Sequence, residues 1–183
     1  MYRLFAAIDL PAEIKKQLAA ICFGVPGAKW ISADQLHLTL RFIGEVDGGM
    51  FKDIKDILSG VRIEPFSMRL KGLGYFPPRQ APRVVWVGVE KNETLLRLRN
   101  KIETILVRSG LKPEGRKYSP HITLARLKQT PAVKVGNFLA ENGLFTSVSF
   151  WVDDFYLYSS KLTPKGAIHK IEASYPLLPS VEP

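Results

Sequence analysis

The chain has one cysteine, Cys22, among 183 residues. An intrachain disulfide is therefore excluded, and stability has to come from a packed core; a cytoplasmic setting fits. Cys22 is expected on the apolar side of the first helix, as a small core residue. Long apolar runs are lacking too. The stretch Leu4–Ile8 is too short for a signal peptide or a membrane span, so no membrane partner is expected. No Gly-x-x-x-x-Gly-Lys-Ser/Thr loop occurs, which argues against ATP-driven ligation. Acidic side chains are scarce, 17 against 26 basic ones, for a net charge of +9. A basic surface favours phosphate-bearing partners, nucleic acid first among them. Histidine is scarcer still, with three in the chain. A zinc site draws on more ligands close together, and neither of the first two histidines has an adjacent carboxylate, so no metal or other cofactor is expected.

Two of those three histidines stand in the same pattern. His37-Leu38-Thr39-Leu40 and His121-Ile122-Thr123-Leu124 lie at an offset of 84 positions. The chain holds only seven threonines, so a threonine two places after two of three histidines is not an expected coincidence. Each copy alternates as a half-buried strand does. In a strand, residues i and i+2 share a face, so each motif presents an imidazole beside a hydroxyl and turns leucine or isoleucine into a core. Imidazole takes and gives protons near neutral pH. Two of them across a groove make a general acid and a general base.

The surroundings repeat with the motif. The first half reads as a buried strand at Leu4–Ile8, then a helix from Pro11 marked by Ile14, Leu18 and Ile21. The strand with His37 follows, then a helix over Met50–Leu58 and a strand over Phe66–Leu70. The second half reads Val84–Val89, a helix through Leu95, Leu98, Ile102 and Leu106 that ends near Gly110, and the strand with His121. A helix follows over about Ala132–Ala140, then strands at Val148–Val152 and Phe155–Tyr158. The same offset carries Phe66 onto Phe150. The expectation is an α+β fold, mostly antiparallel, in one domain of two duplicated β-α-β-α-β lobes, roughly 1–75 and 83–178. They would be related by an approximate twofold axis around a central groove, with the joint in the Gly/Pro-rich stretch Gly72–Pro82. Only the last residues, Pro179–Pro183, look disordered.

In these contexts the chain resembles the 2H phosphoesterases, named for two His-x-Thr/Ser-x motifs. Within them it is similar to the bacterial and archaeal RNA 2′,3′-cyclic phosphodiesterases, also called 2′-5′ RNA ligases (LigT-like). The matching segments are Arg3–Pro11, Leu36–Glu45, Gly74–Pro77 with Pro82–Gly88, Pro120–Leu127 and Leu157–Gly166. The resemblance implies hydrolysis of the 2′,3′-cyclic phosphate of RNA ends or nucleotides to a 2′-phosphate, together with reversible joining of 2′-5′ linked RNA. It implies that His121 is the base for water and His37 the acid for the ribose 3′-oxygen, an assignment that near symmetry allows to swap. The hydroxyls of Thr39 and Thr123 would donate to the non-bridging phosphate oxygens as charge gathers there.

The resemblance also marks Arg126, five places after His121, as a phosphate contact, which its guanidinium fork suits. Strict alternation puts Arg126 opposite His121, so a bend after Thr123 is needed. Alternation puts Arg41 on the face of His37 and Thr39, as a second phosphate-binding arginine. Phe42 is expected in the core, with base stacking as the other reading. Where the family continues Gly-Pro-x-Tyr, this chain has Gly166-Ala167-Ile168-His169, and His169 is read as structural. A monomer is expected. Two other functions compete: an RNA-binding module of the same fold without turnover, and a metal hydrolase that uses the histidines as ligands.

Overall fold

The computed structural model describes residues 1–179. The disorder expected at the C-terminus therefore lies, for Ser180–Pro183, outside the described residues. The first half runs β1 (Tyr2–Asp9), α1 (Ala12–Ala19), β2 (Ala28–Trp30), a 3-10 turn (Ala33–Gln35), β3 (His37–Val46), α2 (Gly48–Leu58), β4 (Phe66–Met68) and β5 (Leu70–Phe76). The second half runs β6 (Val84–Val89), α3 (Glu93–Arg108), β7 (His121–Leu127), α4 (Ala132–Asn142), β8 (Phe150–Val152), β9 (Asp154–Thr163) and β10 (Gly166–Pro176). The motif strands β3 and β7, the helices α2 and α4, and the strands β4 and β8 each start at the 84-residue offset. The repeat is thus legible in the structure as well as in the motif.

Every strand pairing is antiparallel, and the fold is α+β. The sheets do not follow the sequence halves. One sheet has the order β10-β9-β1-β3, the other β2-β7-β6-β5, and β4 pairs with β8. Each half therefore sends its last repeated strand, β5 or β9, into the other half's sheet. The stretch expected to be a joint is in good part β5. Two strands lie outside the repeat: β2, beside β7, and β10, beside β9.

Local chemistry explains the helices. Asp47 Oδ1 accepts from Met50 N at 2.9 Å and starts α2; Asn92 Oδ1 accepts from Leu95 N at 2.9 Å and starts α3. Each such cap contributes about 1 kcal/mol. All four helices put an apolar stripe on one shared core: Ile14 and Leu18, Ile54 and Leu58, Leu95 to Leu106, Val135 and Phe138. Helix α1 ends at Ala19, so Cys22 falls just beyond it, half-buried against the core and not inside the helix. Strand β1 is enclosed on both faces. Leu4, Ala6 and Ile8 join the main core, while Phe5 and Ala7 pack with Tyr158 on the opposite side.

The middle residues of both motifs, Leu38 and Ile122, are fully buried. Burying such a side chain contributes about 1.5–3 kcal/mol, which roots both motif strands in the core. A bulge then interrupts each strand at the same place. Ala7 faces Thr39 and Ala6 faces Arg41, skipping Leu40; Trp86 faces Thr123 and Val85 faces Ala125, skipping Leu124. A bulge reverses the alternation beyond it. Leu40 and Arg41 are both buried in consequence, as are Leu124 and Ala125.

Candidate active site

His37 and His121 are each the first residue of a strand, β3 and β7. Each ring is fixed by the main chain two residues earlier. His37 Nδ1 lies 2.8 Å from Gln35 O, and His121 Nδ1 lies 2.7 Å from Ser119 O. A carbonyl only accepts, so both Nδ1 atoms carry hydrogen and the neutral rings offer the Nε2 lone pair. Two equal anchors thus hold two imidazoles in the same tautomer.

Their surroundings differ. Around His37 stand Phe5 at 4.9 Å, His169 at 5.2 Å and Tyr158 at 6.0 Å between ring centroids. Burial pushes His37 down to about 4, against the Gln35 carbonyl, which favours the protonated ring. Around His121 stand Phe76, edge-on at 5.0 Å, and Trp86 at 6.2 Å. Trp86 lies against Gly74, where a Cβ would come within 2.2 Å of the indole Cζ2. Glycine is what lets that indole pack against the β5 backbone beside His121.

The bulges sort the arginines. After the bulge at Leu124, Arg126 returns to the face of His121 and Thr123 and is exposed. This is the bend that a phosphate contact from Arg126 requires. Lys29 is its cross-strand partner on β2. After the bulge at Leu40, Arg41 turns away from His37, contrary to the expectation from alternation. It is 7% exposed and pairs with Glu103, donates to Phe42 O, and donates to Lys112 O at 2.5 Å. Burial works to raise the Glu103 carboxyl, but the Glu114 N–H and the Arg41 guanidinium outweigh it and hold it below its ordinary value. Arg41 is therefore occupied as a tie between β3, α3 and the loop that follows. The groove face at that point receives Phe42 instead, 59% exposed, against the expectation of a core residue. Phe42 and Arg126 occupy equivalent positions of the two repeats.

Several contacts bring the two walls together. Tyr118 OH, three residues before His121, donates to Thr39 O at 3.0 Å; it uses the carbonyl and leaves the threonine hydroxyl for the groove. Arg126 stands close enough to His169 for its charge to add to the burial that lowers that ring's proton affinity. Lys29 Nζ bonds to Lys165 O in the β9–β10 turn. Strand β3, with His37 and Thr39, thus lies against β7, with His121, Thr123 and Arg126, and Arg41 turns away from the His37 face. Sequence reasoning missed Tyr118, Phe76 and Trp86 as neighbours of the motifs and read His169 only as structural. An open depression of about 450 Å³ elsewhere, lined by Arg62, Arg97, Lys101 and Arg108, holds none of the motif residues.

Comparison with known proteins identifies the family and the fold. The LigT-like phosphoesterase family matches twice, over residues 8–86 and 87–169. The RNA 2′,3′-cyclic phosphodiesterase of Thermotoga maritima is 40% identical over 175 residues, covering 92% of each chain. That of Archaeoglobus fulgidus is 36% identical over 174 residues, covering 92% of this chain and 96% of its own. The crystal structure of Escherichia coli LigT complexed with 3′-AMP superposes with a TM-score of 0.76 at 30% identity, covering 96% of this chain and 98% of that one.

Proposed function

Because the chain belongs to the LigT-like phosphoesterases, we propose that it is an RNA 2′,3′-cyclic phosphodiesterase working by two-histidine acid–base catalysis without a metal. Its substrates are RNA ends or nucleotides that carry a 2′,3′-cyclic phosphate. The observation that carries the mechanism is the matched pair of anchors, Gln35 O on His37 and Ser119 O on His121, which leaves an Nε2 free on each ring.

His121 Nε2 takes a proton from water as the water oxygen bonds to phosphorus. The bond from phosphorus to the ribose 3′-oxygen breaks, and His37 gives that oxygen its proton, leaving a 2′-phosphomonoester. Thr39 and Thr123 donate to the non-bridging oxygens, and Arg126 pairs with them by its planar fork. His37 has to carry a proton to act as acid, yet burial pushes its proton affinity down to about 4. The phosphodiester anion supplies the opposite charge that favours the imidazolium. In 2′-5′ ligation an RNA 5′-hydroxyl takes the place of water and the histidines keep these roles; in splitting of that linkage they exchange them. The single cysteine supports a cytoplasmic setting, and among the described residues no helix is long and apolar enough to cross a membrane.

The test is incubation with 2′,3′-cyclic AMP in excess chelator, with identification of the monophosphate formed. The 2′-monophosphate is expected. No turnover without added metal, or full turnover by His37→Ala protein, overturns the mechanism.

A further inference from the structure

We infer that His169 is a positioning residue for His37, its ring closing one side of that imidazole to water and holding it in place over Phe5. The inference rests on the reading of His37 as a group that acts on the phosphate. Four observations carry it. The His169 ring meets His37 edge-to-face, with centroids 5.2 Å apart and planes at 87°, and meets Phe5 in the same way at 4.9 Å and 79°. Gln35 holds both histidines: its main-chain carbonyl takes His37 Nδ1–H, and its Oε1 takes the His169 main-chain N–H at 3.0 Å. A displacement of one ring is therefore felt by the other.

The third observation is topological. His37 and His169 sit on the two edge strands of one four-stranded sheet, β3 and β10. Their contact means that this sheet curls until its edges meet above β1. Among the described residues the other sheet has no strand beyond β5, so His121 has no counterpart of His169 there. Strand β10 adds to the difference between the two duplicated imidazoles.

The fourth is the His169 Nδ1, which is buried without a partner among the described residues. Leaving a nitrogen in that state is unfavourable, and among the described residues no hydrogen bond of the ring offsets it. Around His37 the titratable and charged groups are His169 from β10, Asp9 from β1, Lys15 from α1 and Tyr158 from β9. Burial is the largest influence on its proton affinity, and the His169 charge acts in the same direction.

The experiment is an NMR titration of the histidine rings in the full chain, for the parent, His169→Ala and His169→Phe, with kcat and KM on 2′,3′-cyclic AMP across pH. In His169→Ala, water reaches His37, whose titration moves up by about one unit or more. In His169→Phe the enclosing bulk remains, and the titration stays near the parent's. The thermal midpoint of His169→Phe equals or exceeds the parent's, since the buried nitrogen is gone. In His169→Ala, kcat falls about tenfold and KM changes less. An unchanged His37 titration in His169→Ala overturns the inference, and so does an equal shift in His169→Phe. The titration reads His37 directly and answers whether or not cyclic phosphate is turned over. Loss of turnover in His37→Ala tests the catalytic reading separately.

Discussion

The phenol of Tyr118 donates a hydrogen bond to the main-chain oxygen of Thr39 at 3.0 Å, tying the segment that leads into one motif to the strand of the other. Burial raises the phenol's proton affinity, so it stays a donor through the neutral range. The ring also takes the Arg99 guanidinium over its face at 5.3 Å. Tyr118→Phe keeps the ring and removes the donor. The expected cost is about 1 kcal/mol of stability, read by denaturant unfolding. A fall in kcat/KM larger than this loss of fold explains is also expected, because the tie sets the distance between motifs. Unchanged kcat/KM would show that the tie is only structural.

The two histidines are expected to be individually indispensable. His37→Ala and His121→Ala each lose about 10²–10⁴-fold in kcat, measured in chelator with 2′,3′-cyclic AMP. Because both act in one transition state, the double variant should lose far less than the product of the two. Thr39→Val and Thr123→Val test the hydroxyls, with losses on the order of 10-fold or more in kcat and little change in unfolding midpoint.

The two arginines should separate cleanly. Arg126→Ala removes an exposed side chain, so stability stays within about 0.5 kcal/mol while kcat/KM falls about 100-fold. Arg41→Ala leaves a partly buried Glu103 without its cation and two carbonyls without their donor, and costs about 1–3 kcal/mol. At a temperature where it remains folded, its kcat/KM should lie close to the parent's. A larger activity loss for folded Arg41→Ala than for Arg126→Ala would reverse the assignment.

His37 makes two pH-linked predictions. Its folded-state value of about 4 lies below the ordinary 6.5. The unfolded chain therefore takes the proton first as pH falls. The contribution to stability is complete above about pH 6.5 and is lost between 6.5 and 4, by up to about 3 kcal/mol. His37→Gln should show a flatter acid limb in denaturation midpoints. Phosphate or nucleotide binding should also draw a proton onto His37, so calorimetric heats should depend on the buffer's ionisation enthalpy. Heats that do not depend on the buffer would sink the acid role.

Much of this was readable from the chain. The duplicated motif, the alternation that buries Leu38 and Ile122, and the periodic stripes of α2 and α3 appear where spacing puts them; in α4, Val135 and Phe138 face the core while Val133 is exposed. What escaped is where alternation fails. A bulge leaves a strand's composition unchanged, so nothing in Thr39-Leu40-Arg41-Phe42 says that Arg41 turns inward; only the pairing with β1 shows it. The parallel requirement at Arg126 could have served as the clue, since a bend demanded after Thr123 implies one after Thr39. Strand β10 escaped for another reason. It is an edge strand with Ile168 and Ile171 exposed, so it carries no clean inward pattern. The meeting of His169 with His37 depends on sheet curvature, which no local spacing encodes.

The reciprocal exchange of β5 and β9 says something about ancestry. A chain of half this length, built on the same plan, would lack one strand of its own sheet and would complete it only by borrowing from a sister copy. Such a unit is a symmetric homodimer by construction, each subunit contributing one histidine to a shared cleft. Carrying both halves on one chain releases that cleft from symmetry. One side could then keep an arginine where the other has phenylalanine, and one imidazole could be roofed over while its twin was left open.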